Sequence, residues 1–242
     1  MNKFFSFLFW GFVAITSILL FFVAFTLWVF SLIFDRKRKW LLHQFTCFWA
    51  SLYTWFNPLW NIRIFGKENI DSKKAYVCVS NHQSLLDILI MFRLFSHFKW
   101  VSKIENFKVP FIGWNMRFND YIELDRGKVK SNAKMIKDCI RAISNQNSVM
   151  IFPEGTRSLD GTLKAFKLGA FEIAKATKAP ILPIVLKGTA HALPKGGIEL
   201  QGKHDMSITV LPEISPSVFE NMSTEELTEL VRSKIQEDLL AK

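Results

Sequence analysis

The chain has 242 residues, half of them hydrophobic, and a formal net charge of +10. That length holds one ordinary domain plus an appendage. Five histidines and three cysteines show no metal-ligand spacing, and no nucleic-acid motif accompanies the charge. The positive balance therefore suits an anionic membrane, a phosphorylated substrate or an acidic carrier, and not a nucleic acid.

The apolar content is concentrated at the start. No Lys, Arg, Asp or Glu falls between Phe4 and Phe34. A helix of that length reaches roughly 45 Å, more than the ~30 Å hydrocarbon layer. A signal peptide has an apolar region of about 7–15 residues. This run is far longer and ends in Phe34-Asp35-Arg36-Lys37-Arg38-Lys39. It is expected to be a retained membrane anchor, either spanning at a tilt or lying partly in one leaflet. The basic cluster after it places the rest of the chain on the cytoplasmic side of the inner membrane.

Residues 40–60, "WLLHQFTCFWASLYTWFNPLW", are also free of Lys, Arg, Asp and Glu, and six of the eight tryptophans lie in the first 60 residues. Tryptophan favours the headgroup layer. The segment reads as a helix at the membrane surface or as a buried helix of the next domain. The expected division is an anchoring region over 1–60 and a second domain over 61–242.

From residue 61 short strands alternate with amphipathic helices. "AYVCVS" (75–80) reads as a buried strand and 84–95 as a helix. "FKWVSK" (98–103) and "DYIEL" (120–124) read as strands. Over 131–144, with Ser131 as cap, Met135, Ile136, Cys139, Ile140 and Ile143 share one helical face. "SVMIF" (148–152) is a strand stopped by Pro153, 164–177 a helix, and "ILPIVL" (181–186) a strand. Ser223 and Glu226 have capping-box spacing ahead of Leu227, Leu230, Val231 and Ile235. The alternation predicts an α/β fold, a mostly parallel or mixed sheet flanked by helices, behind the N-terminal helical anchor.

The polar knot "NHQSLLD" (81–87) interrupts the apolar pattern at a strand-to-helix junction. On one continuous helix His82 and Asp87 would be rotated roughly 140° apart. They meet only if the helix starts between them, and Ser84-Leu85-Leu86-Asp87 has the spacing for that start. His82 then sits at a strand's carboxyl end, where open α/β sheets bind ligands. A carboxylate on one ring nitrogen would fix the tautomer and leave the other nitrogen to take a proton from an alcohol. The competing reading is an Asp87 that only caps a helix.

"IFPEGTRSLDG" (151–161) follows a strand, and Gly155 permits a tight turn. Arg157 with neighbouring hydroxyls suits a phosphate, or is a surface arginine on a hydrophilic turn. Glu154 would accept a hydroxyl or hold Arg157. Lys103 follows a second strand, and Arg126 and Lys128 of "LDRGK" follow a third. Three cationic loops after strands would converge on one anion. No G-x-S-x-G elbow and no G-x-x-x-x-G-K-[ST] loop is present, so the chain supplies a base without a nucleophile and the substrate must bring the hydroxyl.

"NHQSLLD", "YIELDRG", "FPEGTRS" and "APILPIV", in this order and spacing over roughly 60–215, resemble the four motifs of the glycerolipid acyltransferases, in particular the bacterial 1-acyl-sn-glycerol-3-phosphate acyltransferases. The resemblance implies a catalytic His82–Asp87 dyad. It implies a substrate-binding set of Lys103, Arg126, Glu154, Gly155, Thr156 and Arg157, with Lys167 at a further family position and Pro183 on the acyl side. It implies lysophosphatidic acid as acceptor, acyl-CoA or acyl carrier protein as donor, membrane lipids as partners, and no metal or other cofactor. Another lysolipid, or a lyso-ornithine-type amino lipid, is the alternative acceptor.

Overall fold

The computed structural model describes residues 2–158, 161–193 and 199–241. In chain order the elements are α1 (Asn2–Phe34), α2 (Trp40–Trp55), β1 (Trp60–Phe65), β2 (Val77–Ser80), α3 (Leu86–Met91), β3 (Phe98–Lys103), α4 (Ile112–Phe118), β4 (Ile122–Leu124), α5 (Val129–Ser144), β5 (Ser148–Ile151), α6 (Gly169–Thr177), β6 (Ile181–Lys187), α7 (Thr189–Ala192), β7 (His204–Val210), α8 (Pro216–Phe219) and α9 (Thr224–Leu240).

The strands form one sheet in the order β1-β7-β6-β2-β5-β3-β4. β2 runs parallel to both β5 and β6, and β3 runs parallel to β5 and β4. β7 is antiparallel to β6 and parallel to β1. The five strands β2 to β6 therefore end at one edge of the sheet, and the loops that follow them gather there. The expected mixed, mostly parallel sheet is what the chain builds.

Strand alternation sorts side chains into two layers. Val77, Val79, Val149, Ile151, Ile181 and Val185 pack under α5, α6 and α9. Cys78, Met150, Leu182, Ile184 and Leu186 point the other way, toward Cys47 and Ala50 of α2 and Ile90 and Met91 of α3. All three cysteines are buried free thiols.

α1 packs against α2, with Phe9, Ala24, Leu42, Trp49 and Trp60 in one cluster. It is long and apolar enough to cross a membrane, and its other face leaves Phe7, Ile15, Phe22 and Ile33 exposed. α2 does two jobs: Cys47 and Ala50 join the sheet's core, while Trp40, Phe48 and Trp55 stay exposed. The buried-helix reading of residues 40–60 thus describes one face of α2, and its opposite face carries exposed aromatic side chains.

Several boundaries differ from the sequence reading. β1 and β7 went unread. α3 runs only from Leu86 to Met91, with a tighter turn over Phe92–Leu94, and not over 84–95. α5 begins at Val129 behind Lys128, and the Ser131 hydroxyl accepts from Asp125 N at 2.8 Å instead of capping the helix. α6 begins at Gly169, because Lys167 N is spent on the Pro153 carbonyl at 3.0 Å. The Ser223–Glu226 capping box is formed as read.

Candidate active site

His82 lies just past β2, on the carboxyl edge of the sheet. Its backbone N–H donates to Glu154 Oε1 at 2.6 Å, and its carbonyl accepts from Ser158 N at 2.9 Å. The ring stacks on Phe152, with centroids 4.0 Å apart and planes 8° apart. Nδ1 stands 2.8 Å from Asp87 Oδ2. The same oxygen accepts from Gln83 N at 2.6 Å and Ser84 N at 2.9 Å. The Ser84–Asp87 turn is therefore a variant of the capping box: the carboxylate reaches back, and the Ser84 hydroxyl accepts from Leu86 N at 3.3 Å, not from Asp87 N, while donating to the Leu193 carbonyl at 2.7 Å. Asp87 both caps the helix and holds the imidazole, so the two sequence readings were not alternatives. With the carboxylate on Nδ1, the ring proton belongs there and Nε2 carries the lone pair. Among the described residues Nε2 has no hydrogen-bond partner.

His82 lines an apolar cavity of about 340 Å³, walled by Trp10, Leu86, Leu89, Trp100, Ile112 and Met116. A second cavity of about 400 Å³ adjoins it and contains Lys103, Arg126, Gly155 and Lys167. Lys103, Arg126 and Phe152 border both. The imidazole thus lines the greasy chamber, and Phe152, on which it stacks, also borders the cationic one. Arg126 is held below the usual guanidinium range by burial; Glu105 opposes this shift and the charge of Arg157 adds to it. The cations gathered here favour an anion.

The six residues expected to hold substrate separate in space. Lys103, Arg126 and Gly155 line the cationic cavity, and Arg157 stands within electrostatic reach of Arg126. Thr156 is exposed and lines neither cavity. Glu154 is buried, and its two oxygens accept from His82 N and from Lys164 N at 3.1 Å. Burial pushes its carboxyl above the usual carboxylate range, against those two donors. Glu154 ties the third motif to the first, and the Arg157 carbonyl accepts from Lys164 Nζ at 2.9 Å. Lys128 pairs with Asp125 at 2.5 Å and points outward.

Sequence reasoning missed Phe152 as the platform under His82. It also missed Asn81, whose side-chain amide brackets Leu186 of β6, donating to its carbonyl and accepting from its N–H, both at 2.8 Å. Asn81 lay in the quoted motif, yet its partner is 105 residues away.

The acyltransferase family model matches residues 61–187. A chloroplastic 1-acyl-sn-glycerol-3-phosphate acyltransferase of Brassica napus is 36% identical over 211 residues, 87% of this chain and 59% of that protein. The Borreliella burgdorferi protein of the same name is 30% identical over 179 residues, 74% of this chain and 71% of its own length. The chain spans about 60% of the length of the plant relatives it matches. The crystal structure of the 1-acyl-sn-glycerophosphate (LPA) acyltransferase PlsC from Thermotoga maritima superposes with a TM-score of 0.82 at 26% identity, covering 100% of this chain and 99% of that one.

Proposed function

The chain belongs to the acyltransferase family, and from that premise we propose that it moves a fatty acyl group from an acyl thioester to the sn-2 hydroxyl of 1-acyl-sn-glycerol-3-phosphate, giving phosphatidic acid. The single observation that carries the mechanism is the 2.8 Å contact of His82 Nδ1 with buried Asp87, beside a cavity lined by that histidine. His82 Nε2 takes the proton of the acceptor hydroxyl as its oxygen attacks the thioester carbonyl. Asp87 stabilises the imidazolium, which then protonates the departing thiolate where needed. The donor is acyl-CoA or acyl carrier protein.

The acceptor phosphate rests in the cationic cavity on Lys103 and Arg126, with Lys167 and Arg157 adding charge. An acyl chain fits the adjoining apolar cavity. α1 holds the site at the membrane of the cell with the catalytic side facing the cytoplasm. Reaction at the interface avoids extracting lipid chains into water, which costs about 0.8 kcal/mol per CH₂.

The test uses purified protein in detergent with a labelled acyl thioester and a panel of lysolipids. Lysophosphatidic acid is expected to be the preferred acceptor, and His82→Ala to lower turnover about 10²–10⁴-fold. A His82→Ala protein with near-normal turnover defeats the mechanism. Preference for a lysolipid without a phosphomonoester, such as a lyso-ornithine lipid, moves the chain to a different acceptor.

A further inference from the structure

Asp87 is fully buried, and its two oxygens are held differently. Oδ2 faces the imidazole and two backbone N–H groups. Oδ1 accepts from the hydroxyl of Thr189 at 2.5 Å. Thr189 is itself fully buried and is the first residue of α7, beyond the end of β6. It lies 102 positions from Asp87 in the chain.

The fold brings it there by specific means. β6 pairs with β2 in parallel register, with Ser80, the last residue of β2, opposite Ile184, so β6 runs on past the end of β2 and carries α7 alongside the loop that follows β2. Asn81 then clasps Leu186 and fixes the offset of the two loops. Gly188 turns the chain with φ +82°, and a Cβ there would meet the Asp205 carbonyl oxygen at 2.2 Å. Only glycine fits that turn. Ser84 Oγ donates to the Leu193 carbonyl, so the far end of α7 is fastened to the same loop as the near end.

A carboxylate turns about its Cβ–Cγ bond unless both oxygens are engaged. With Oδ1 released, Oδ2 can swing out of line with Nδ1 while its backbone donors still bind. Resting on the acyl-transfer reading above, we propose that Thr189 is a positioning residue. Its hydroxyl anchors Asp87 Oδ1 so that Oδ2 stays aimed at His82 Nδ1 while the proton passes from the acceptor hydroxyl to Nε2 and on to the thiolate. Thr189 keeps its own proton throughout and touches no substrate. The chemistry requires a hydroxyl donor at this place, and β6 and α7 deliver one to a dyad that the first motif builds alone in sequence.

The experiment compares Thr189→Val, Thr189→Ala and Thr189→Ser in the full chain in detergent, with lysophosphatidic acid and an acyl thioester. Val preserves shape, Ala removes bulk, and Ser alone keeps the hydroxyl. A hydrogen bond to a charged group is worth about 1.5–3 kcal/mol, or roughly tenfold or more in rate. Both Val and Ala are expected to lower kcat about tenfold or more with KM for each substrate within about twofold, and Ser to stay within about threefold of the parent. The second readout is the ¹H resonance of the proton between Nδ1 and Oδ2, identified by ¹⁵N-histidine labelling and its loss in His82→Gln. It is expected to persist in Ser and to shift or vanish in Val and Ala. Turnover of Val or Ala within twofold of the parent overturns the proposal. So does an unshifted resonance in whichever of the two folds. A parent chain that acylates no lysolipid sinks the reaction reading instead, while the resonance still reports on Thr189 and Asp87.

Discussion

His82 is immobilised from four directions, by its own backbone N–H and carbonyl, by Asp87 on one ring atom and by Phe152 beneath the ring. The cations Lys103 and Arg126 line the same cavity and can be tested separately by mutation. Arg126 borders both cavities, so Arg126→Gln should weaken the acceptor more than the donor. Loss of a charge-assisted bond to phosphate is worth about 1.5–3 kcal/mol, or roughly 10–100-fold in acceptor KM. Steady-state kinetics with each substrate varied in turn checks this, and an unchanged acceptor KM removes Arg126 from the phosphate. Gly155 gives a finer probe. It has φ +70°, and a Cβ there would lie 2.9 Å from both Cε and Nζ of Lys167. Gly155→Ala strains the turn by about 1 kcal/mol and displaces the Lys167 amine from the cationic cavity. Acceptor KM should rise several-fold with donor KM unchanged; equal rises in both would mean that the whole loop had collapsed.

Among the elements, what was legible in the sequence and what was not divide along one physical line. The α9 start was readable because both partners of its cap, Ser223 and Glu226, lie within the same turn. The α5 start was misread because the Ser131 hydroxyl accepts from a non-helical donor, Asp125 N, whereas the Ser84 hydroxyl accepts from Leu86 N at the start of α3 and donates to the Leu193 carbonyl. Hydroxyl spacing announces a local cap only when no other donor competes for the oxygen. β2, β5 and β6 are buried on both faces and stood out as apolar runs, whereas β1 after Trp60 alternates exposed with half-buried residues and includes Asn61 and Arg63. β7 carries His204 and Asp205 at its start, which hid it in the same way. The dyad was legible for the same reason as the α9 cap, being five residues wide; the Thr189 arm was not, because strand register supplies it. The α9 cap is also a direct test of element stability. α9 packs Leu227, Val231 and Ile235 into the core beneath β6. Ser223→Ala removes the hydroxyl acceptor and should destabilise the protein by about 1 kcal/mol, measured as a lower thermal midpoint with catalytic constants unchanged. A midpoint equal to the parent's would mean that α9 is held by packing alone.

At the scale of the whole molecule the question is how a 33-residue apolar helix is joined to a charged α/β domain. The join is the turn after α1, and Lys99 of β3 is its bolt. Lys99 is almost wholly buried and donates to the carbonyls of Arg38 at 2.7 Å and Asn119 at 2.8 Å, linking that turn to the end of α4. Lys39 adds an ion pair with Asp120 at 2.7 Å. Burial lowers the Lys99 amine to about 8; Asp120 opposes the shift. An unfolded lysine titrates near 10.4. Between these values the unfolded chain binds more protons than the folded one, so stability at this residue rises with pH. From pH 8 to pH 9 the difference grows from about half a proton to nearly one, a gain of about 1 kcal/mol, or about 2–4 °C in midpoint for a chain of this size. Cys78, pushed up to about 12 by burial, and Cys47 and Cys139, pushed up likewise, contribute the opposite slope across the same window, because an unfolded thiol titrates near 8.5, so only the difference between parent and variant isolates Lys99. Lys99→Met deletes the titration and leaves the other groups in place. The parent should gain on the variant by about 2–4 °C between pH 8 and pH 9 in the same detergent. Parallel pH dependences in the two proteins would show that the amine is neutral, or solvated, at the join between α1 and the sheet.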